Sequence, residues 1–254
     1  MPTIFEGVDI LIDQHLDILR VGTPPHHRHR ACLKRLNDKP ENFEISKLLK
    51  GIASILKTNW EKNGRRRGSK ENWRWEKQLY IRDANQSREK QLEKAIVAKC
   101  GQEWVNQVPT ASGLTNSTAG KHCNIDLIHR LPDETCEFIE LKYTCDTPLF
   151  AAFEILKYGL LYVFTRQHLN DLTVSPETNL FTLNHVHLRV VAPASYYSGC
   201  RLEWLLLEVN RGLADALSKE DFRMDLKFES ICWPRDGDVC AAMTSRTSVF
   251  SAYS

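Results

Sequence analysis

Two short runs decide the fold of this chain: Asn124-Ile125-Asp126-Leu127-Ile128 and Phe138-Ile139-Glu140-Leu141-Lys142. Polar and apolar residues alternate in both runs, which predicts two β-strands that each turn one face to a core. The residues between them include Pro132 and Asp133, which are typical of a tight turn. The sequence therefore predicts a β-hairpin with acids and one lysine on its polar face.

A turn centred on Asp133 places Asp126 directly opposite Glu140, and Lys142 opposite Asn124. Directly opposed residues of antiparallel strands have Cβ atoms about 4.5–5.5 Å apart. Two carboxylates at that distance repel each other, so one takes up a proton unless a cation lies between them. Mg2+ prefers oxygen ligands and keeps several waters. We therefore predict that Asp126 and Glu140 bind Mg2+, with Lys142 beside the ion.

The other face of the hairpin is predicted to be a fully apolar back face. It carries Ile125, Leu127, Ile139 and Leu141, because side chains alternate along a strand. A one-residue change of register would exchange the two faces. We expect helices on both sides of the sheet to cover this hairpin.

The composition is that of one large domain, or of one domain with an appendage. The chain has 254 residues, of which 42% are hydrophobic, so a substantial core is expected. The formal net charge of +2 is nearly neutral, so a basic surface for nucleic acid would have to be local. The longest apolar run, residues 149–164, contains Glu154 and Lys157 and is too short and too charged for a membrane span.

The cysteine pattern gives an expectation about redox state. Eight cysteines are spread along the chain without a CxxC pair, which argues against a zinc knuckle. The first residues lack the pattern of a signal peptide. We therefore expect reduced cysteines in a cytoplasmic protein.

Apolar periodicity predicts an N-terminal helical region over residues 1–80 and an α/β domain over residues 81–254. Besides the hairpin, we expect strands at 104–108, 186–191 and 224–233, and helices at 8–19, 43–60, from 85 or 87 to 97, 149–167 and 202–217. The tail after Pro234 is rich in small and polar residues and is expected to pack loosely.

Two basic segments are candidates for function. Arg65, Arg66 and Arg67 lie in a glycine-flanked loop followed by Trp73 and Trp75, a combination that suits phosphate contact and base stacking. The alternative is a solvated, mobile loop with tryptophans in the core. The tract of residues 26–30, His-His-Arg-His-Arg, is a possible metal site, but a solvated basic loop or helix start is favoured.

The Asp126…Glu140-Leu141-Lys142 motif, on a hairpin between helices, resembles the PD-(D/E)xK nuclease superfamily over roughly residues 85–195. The resemblance implies the restriction-endonuclease-like fold, an αβββαβ core with a mixed central sheet flanked by helices. Members often carry a glutamate on the helix before the first strand, for which Glu93 is preferred here over Glu89. The literal Pro132-Asp133 pair is assigned to the turn, away from Glu140.

Two branches of that superfamily, the lambda-exonuclease-like and RecB-like nucleases, carry Gln-x-x-x-Tyr on the helix after the lysine strand. The equivalent positions here are Glu154 and Tyr158, so tyrosine is kept and glutamine is replaced. Together with Lys157, these two residues form a stripe along one side of the helix. The stripe faces either the metal site or a phosphate; the alternative is that it faces the solvent. Lys121 and His122, just before the first acidic strand, could contact phosphate, although a plain loop is the simpler interpretation.

The resemblance implies a Mg2+-dependent nuclease that hydrolyses phosphodiester bonds, with DNA as the preferred substrate. Asp126, Glu140 and Glu93 would hold the metal, for which Mn2+ can substitute, and Lys142 would act on the attacking water or the developing charge. One alternative is a catalytically inactive member of the same fold that acts as a nucleic-acid-binding or assembly module. Another is an unrelated enzyme or interaction protein with a chance motif. A homodimer is plausible by the same resemblance.

Overall fold

A six-stranded mixed β-sheet forms the centre of the fold, and helices pack against both of its faces. The computed structural model describes residues 3–19, 23–80, 87–176, 178–233 and 238–250. The elements follow in the order α1 (Val8–His15), α2 (Arg30–Leu33), α3 (Ile45–Lys62), α4 (Arg88–Lys99), β1 (Trp104–Pro109), β2 (Asn124–Leu131), β3 (Thr135–Leu141), α5 (Pro148–Gln167), β4 (His185–Ala192), α6 (Glu203–Ala216), β5 (Arg223–Ser230), α7 (Val239–Thr244) and β6 (Thr247–Ser248). The predicted α/β class with an N-terminal helical region is confirmed.

The strands lie in the spatial order β1-β2-β3-β4-β5-β6. β1, β2 and β3 pair antiparallel, β4 and β5 run parallel to β3, and β6 pairs antiparallel with β5. Parallel neighbours cannot be joined by a tight turn, and α5 makes the crossover from β3 to β4. The elements from α4 to β4 therefore have the predicted order αβββαβ.

The hairpin of β2 and β3 has the register that the sequence predicts. Its pairs run from Leu131↔Thr135 to Leu127↔Ile139, which centres the turn on Asp133. Asp133 itself has a φ of 57° and the next residue has 52°. The loop thus has three residues, 132–134, and a left-handed residue is typical of three-residue hairpin loops.

The two strands of the hairpin separate beyond the last of these pairs. The first two residues of β2 pair with β1, while the last two residues of β3 pair with β4. The predicted direct opposition of Asp126 to Glu140, and of Lys142 to Asn124, falls in this region and is not formed as backbone pairs. The sheet instead opens into a fork between β2 and β3.

The core consists of two apolar clusters. Helices α5 and α6 pack on one face of the sheet, in a cluster that also includes α1 and α3 of the N-terminal region. Helices α4 and α7 pack on the other face. Leu127, Ile139 and Leu141 lie in the α4–α7 cluster as predicted. The prediction is wrong for Ile125, which lies in the other cluster, where β2 pairs with β1 and no longer with β3.

Helix α5 is apolar on nearly all sides because it is enclosed by the sheet and the N-terminal helices. It is long and apolar enough, by length and composition alone, to cross a membrane, with a mean hydropathy of 1.3. In the folded chain 83% of that window is buried inside the protein. The expectation that this segment does not span a membrane stays a prediction.

The histidine tract docks the N-terminal region on α5. The tract is a helix start, as expected, because α2 begins at Arg30, but His26 and His27 are buried, so a solvated loop is wrong for both. The Asp13 carboxylate accepts hydrogen bonds from the backbone N–H of His26 at 2.7 Å and of His27 at 2.9 Å, and it contacts His27 Nδ1 at 2.6 Å. The carbonyl of His27 accepts a hydrogen bond from Thr147 Oγ1, at the start of α5, at 2.8 Å. The tract is therefore a structural joint.

Two predicted elements extend three or more residues beyond the observed ones, and the tail is better ordered than expected. Helix α1 ends at His15 because Asp17 adopts a positive φ of 53°, and β5 ends at Ser230. Loose packing is wrong for residues 238–250, which form α7 and β6. Asp238 caps α7 by accepting from two backbone N–H groups, and Phe250 is buried in the core.

The expectation of reduced cysteines is wrong for two of the eight. Cys100, at the end of α4, forms a disulfide with Cys240 in α7, across a sequence separation of 140 residues. The other six cysteines are free thiols. Spacing along the chain carries no signal for this bond, because folding brings α4 and α7 together on one face of the sheet. The cytoplasmic location stays a prediction.

Candidate functional site

A cleft of about 330 Å³ lies in the fork between β2 and β3. It brings Asp126, Glu140 and Lys142 together, although Asp126 comes from a different strand. Acids and lysines dominate the lining, which consists of Ser87, Glu89, Lys90, Gln107, Asn124, Asp126, Glu140, Leu141, Lys142, Cys145, Glu154 and Tyr158. The fork explains the cleft, because separated strands leave room for side chains that a continuous ladder would exclude.

Asp126 is held by three donors. Its Oδ2 accepts the backbone N–H of Leu141 at 3.0 Å, and its Oδ1 accepts from Lys90 Nζ at 3.0 Å and from Gln107 Nε2 at 3.3 Å. Burial alone would raise the pKa of Asp126, but Lys90, Lys142 and these hydrogen bonds outweigh it and lower that pKa. Asp126 is therefore a carboxylate at neutral pH.

Glu93 joins this group from α4 and is fully buried. Its Oε1 lies 2.7 Å from Lys90 Nζ, and its Oε2 accepts from Gln107 Nε2 at 2.7 Å. Burial and the neighbouring charge of Asp126 raise the pKa of Glu93 to about 9. Glu93 and Asp126 thus share both of their side-chain donors, and at neutral pH Glu93 carries a proton.

Glu89, the other candidate on α4, has a different role. One of its carboxylate oxygens accepts the backbone N–H of Tyr143 at 2.9 Å, and the other accepts from Ser87 Oγ at 2.7 Å. These bonds fasten the loop after β3 to the start of α4. Glu89 lines the cleft, but the contacts of Glu93 with the donors of Asp126 favour Glu93 as the helix acid.

Gln107 reaches these acids through an unusual backbone. It lies in β1 with a φ of 49°, a left-handed value that is uncommon for residues other than glycine and is rare inside a strand. Such strained residues cluster at functional sites. Sequence reasoning missed Gln107, because nothing in the run Asn106-Gln107-Val108 signals a left-handed residue.

Lys142 forms a second bridge, between Glu140 and Glu154. Its Nζ lies 2.8 Å from Glu140 Oε1 and 2.9 Å from Glu154 Oε2. Burial alone lowers the pKa of Lys142, but Glu140 and Glu154 outweigh it and raise that pKa, so the ammonium stays charged. Burial, together with Asp126 and Glu154, raises the pKa of Glu140 well above its usual value.

The two lysines therefore separate the acids of the cleft into two pairs. Lys90 lies between Glu93 and Asp126, and Lys142 lies between Glu140 and Glu154. This separation agrees with the distances between the acids. In the described part of the chain, no three acids of the cleft have ligand oxygens within 4.8 Å of one another. A metal ion would have to displace or rearrange at least one ammonium.

Asn124 supplies an observation that favours a bound cation. Its Oδ1 is buried and has no hydrogen-bond partner within the described ranges. The residue lines the same cleft as Asp126 and Glu140. A buried acceptor without a donor costs about 1–3 kcal/mol, which a cation or its water shell would recover. The donor set of carboxylates and one amide oxygen is the kind that Mg2+ takes.

Comparison with protein-family models, curated proteins and solved structures finds no match to this chain. The geometry of the cleft is therefore the basis on which function can be proposed.

The stripe on α5 divides between the cleft and the protein interior. Glu154 and Tyr158 line the cleft, and burial raises the pKa of Tyr158 well above its usual value. Lys157 instead pairs with Asp9 of α1 at 2.8 Å. The alternative of a solvent-facing stripe is therefore wrong for these three residues. Two of them line the cleft, and Lys157 joins the N-terminal region to α5.

The basic loop lies outside the cleft lining. Arg65 pairs with Glu61 at 2.7 Å, Arg66 donates to Asn116 Oδ1 at 2.7 Å, and Arg67 is exposed. Trp73 is fully buried, so it cannot stack on a base. Its burial agrees with the alternative interpretation of this segment, in which the tryptophans lie in the core. The side chain of Lys121 lies outside the described residues. Nucleic-acid contact by the arginines stays a prediction.

Proposed function

We propose that this protein is a Mg2+-dependent nuclease that hydrolyses phosphodiester bonds, with DNA as its preferred substrate and Mn2+ able to replace Mg2+. One observation carries the proposal: Asp126, Glu140 and Lys142 converge in one cleft at the fork of the sheet. The unpaired Oδ1 of Asn124 in the same cleft supports it. The preference for DNA rests on the resemblance of the motif to PD-(D/E)xK nucleases.

In this proposal the acids of the cleft hold the ion. Asp126 is already a carboxylate, Glu140 is the second acidic ligand, and Glu93 becomes a ligand when it loses its proton. Asn124 adds a neutral oxygen. When bound, Mg2+ lowers the pKa of a coordinated water and offsets the charge of the phosphate. The fork between β2 and β3 provides the space between the ligands, because it holds them on separate strands.

Lys142 acts as a fixed positive charge. Its raised pKa means that it keeps its proton at physiological pH, so it cannot accept the proton of the attacking water. An ammonium at this position stabilises the negative charge that develops on the phosphate and orients the water. Glu154 and Glu140 hold the ammonium in place through the two ion pairs of the cleft.

A catalytically inactive, nucleic-acid-binding member of the same fold is the second candidate. The observation that favours it is the neutralisation of the acids by Lys90 and Lys142. If these ion pairs are permanent, the cleft takes no metal. The two candidates therefore differ first in metal binding and only then in cleavage.

Cleavage is tested with supercoiled plasmid and with single-stranded DNA, in Mg2+, in Mn2+ and in a chelator. Three proteins are compared: the wild type, Lys142→Met, and the matched control Lys99→Met, which changes an exposed lysine at the end of α4. We expect metal-dependent cleavage by the wild type and the control, and a loss of about 100-fold or more in Lys142→Met. Circular dichroism checks that each variant is folded.

Equal cleavage by the wild type and Lys142→Met would identify a contaminating nuclease and contradict the proposal. Isothermal titration with Mg2+ and Mn2+ separates the two candidates. Binding that disappears in Asp126→Asn supports the nuclease, whereas the absence of binding in the wild type supports the inactive module.

A further inference from the structure

A second cluster of polar side chains lies on β4 and β5, outside the lining of the cleft. His185 and His187 are on β4, and Asp225 is on the neighbouring parallel strand β5. Residues two apart on a strand point to the same face, and the register pairs His187 with Asp225. The three side chains therefore meet on one face, near the start of both strands.

This face of the sheet is opposite to the one that carries the Glu140 side chain. Across β3 and β4 the register pairs Glu137 with His187 and Glu140 with Val190. Residues 137 and 140 point to opposite faces, because they are three positions apart on one strand. The histidine cluster thus lies on the face opposite to the Glu140 side chain and beside the start of β4, whereas Glu140 lies beside its end.

The ligand atoms of the cluster converge on one point. His185 Nε2 lies 2.7 Å from Asp225 Oδ1, and His187 Nδ1 lies 2.5 Å from the same oxygen. All three atoms lie within 4.8 Å of one another, and the two ring centroids are 4.0 Å apart. Zn2+ binds such atoms at about 2.0–2.2 Å, so small side-chain movements would place an ion among them.

A hydrogen bond to the second carboxylate oxygen of Asp225 fixes the orientation of this side chain. Arg189 Nη1 donates to Asp225 Oδ2 at 2.8 Å, which leaves Oδ1 facing the histidines. Arg189 is only 4% exposed and lies 3.6 Å from both Glu137 and Glu229. An oriented carboxylate with a buried partner is typical of the support that metal ligands receive.

The cluster is also open to solvent. It borders a cleft of about 1030 Å³ between the start of β4 and β5 and helix α6. The side chains of His185, His187 and Asp225 are 33%, 20% and 24% exposed. An ion could therefore enter, and water or a small ligand could fill its remaining coordination positions.

Two imidazoles and one carboxylate favour a transition metal over Mg2+, which prefers oxygen ligands alone. Three protein ligands with an open position are the arrangement of solvent-accessible zinc sites. We propose that His185, His187 and Asp225 form a binding site for a transition-metal cation of the Zn2+ class, which bridges β4 and β5. This site is independent of the nuclease proposal.

The test uses the full chain after treatment with a chelator, with Co2+ as a spectroscopic probe and Zn2+ as a calorimetric one. We expect one equivalent of Co2+ to give the visible bands of nitrogen and oxygen ligands. Its affinity should fall by about 100-fold or more in His187→Ala. It should be unchanged in His168→Ala, which changes a partly exposed histidine elsewhere.

Asp225→Asn serves as a second variant, because it keeps the size of the side chain if His187→Ala fails to fold. X-ray absorption at the zinc edge of the wild type reports the ligands directly. Two imidazoles and no sulfur are expected. Sulfur ligands would show that the metal binds free cysteines, and equal affinity in the wild type and the folded variants would likewise overturn the proposal.

Discussion

The carboxylate of Asp126 accepts a hydrogen bond from the backbone N–H of Leu141 at 3.0 Å. The backbone pairs of β2 and β3 end before this point, so the side chain of Asp126 makes the contact between the two strands there. Leu141 lies between Glu140 and Lys142 in the chain. The bond therefore places the acid of β2 beside Glu140 of β3 and Lys142 directly after it, without closing the fork that forms the cleft.

Metal binding should strengthen as pH rises, because protons compete with the ion for Glu93. The pKa of Glu93 is about 9 in the folded chain, raised by burial and by Asp126. Below that pH, each unit of increase should raise the apparent Mg2+ affinity by up to about tenfold, since one proton must leave. Titration calorimetry from about pH 6 to 9 measures this rise. Glu93→Gln should flatten it.

The same pKa predicts a fall in stability with pH. A carboxyl group with a raised folded pKa keeps a proton that the unfolded chain, with a pKa of about 4.5, has already lost. The free energy of unfolding should therefore decrease between about pH 4.5 and 9, by up to about 1.4 kcal/mol per unit from this group. Urea unfolding of the wild type and Glu93→Gln checks the sign. An equal slope in both would contradict the assignment.

Removal of Lys90 should make the fold depend on a metal ion. Lys90→Met leaves Asp126 and Glu93 facing each other without the ammonium that lies between them. The metal-free protein should lose on the order of 2 kcal/mol, less than a fully buried pair because Lys90 is 27% exposed. Saturating Mg2+ should restore this stability, as a ligand at 100 times its Kd contributes about 2.7 kcal/mol.

Thermal unfolding with and without Mg2+ measures the effect, with Lys99→Met as the control for loss of a lysine on α4. The shift in Tm that Mg2+ causes should be larger in Lys90→Met than in the wild type. An equal shift in all three proteins would mean that Lys90 does not occupy the position of the ion.

The local pattern of the sequence was enough to predict the hairpin, its register and the convergence of Asp126, Glu140 and Lys142. The alternation of polar and apolar residues and the identity of the turn residues involve only a few neighbouring positions, so they can be recognised in the sequence. The other residues of the cleft and of the histidine cluster are brought together by contacts between segments that are distant in the sequence. Lys90 meets Asp126 across 36 positions and His185 meets Asp225 across 40, so no spacing along the chain reveals them. His187 lies in the predicted strand 186–191 and His185 directly precedes it, so their spacing of two residues indicates that they share one face of the strand.

Asp13→Ala should weaken the attachment of the N-terminal region. Asp13 is 1% exposed and accepts two backbone N–H bonds besides its contact with the His27 ring. Removing the carboxylate leaves these buried N–H groups without an acceptor, which costs about 1–3 kcal/mol for each unpaired group. Urea unfolding should show this loss, whereas the exposed Asp38→Ala should change little. Equal stability of the two variants would contradict the structural role of the tract.

The pH dependence of Asp13 has the opposite sign to that of Glu93. Burial alone would raise the pKa of Asp13, but the hydrogen bonds from His27 and His26 outweigh it and lower that pKa below 3.8. Its contribution is therefore present above about pH 4 and lost as pH falls through the folded value. The acid destabilisation of the wild type should be smaller in Asp13→Asn, which keeps the shape without the charge.

Reduction of the Cys100–Cys240 disulfide should destabilise the fold and loosen the cleft together. The bond closes a loop of 140 residues and joins α7 to α4, the helix that carries Lys90 and Glu93. Such a bond contributes about 2–4 kcal/mol, so Cys240→Ser should unfold at lower urea and bind Mg2+ more weakly. Cys232→Ser, which removes an exposed free thiol, is the matched control. Alkylation of the unreduced, denatured chain should modify six cysteines, and modification of all eight would show that the bond is absent.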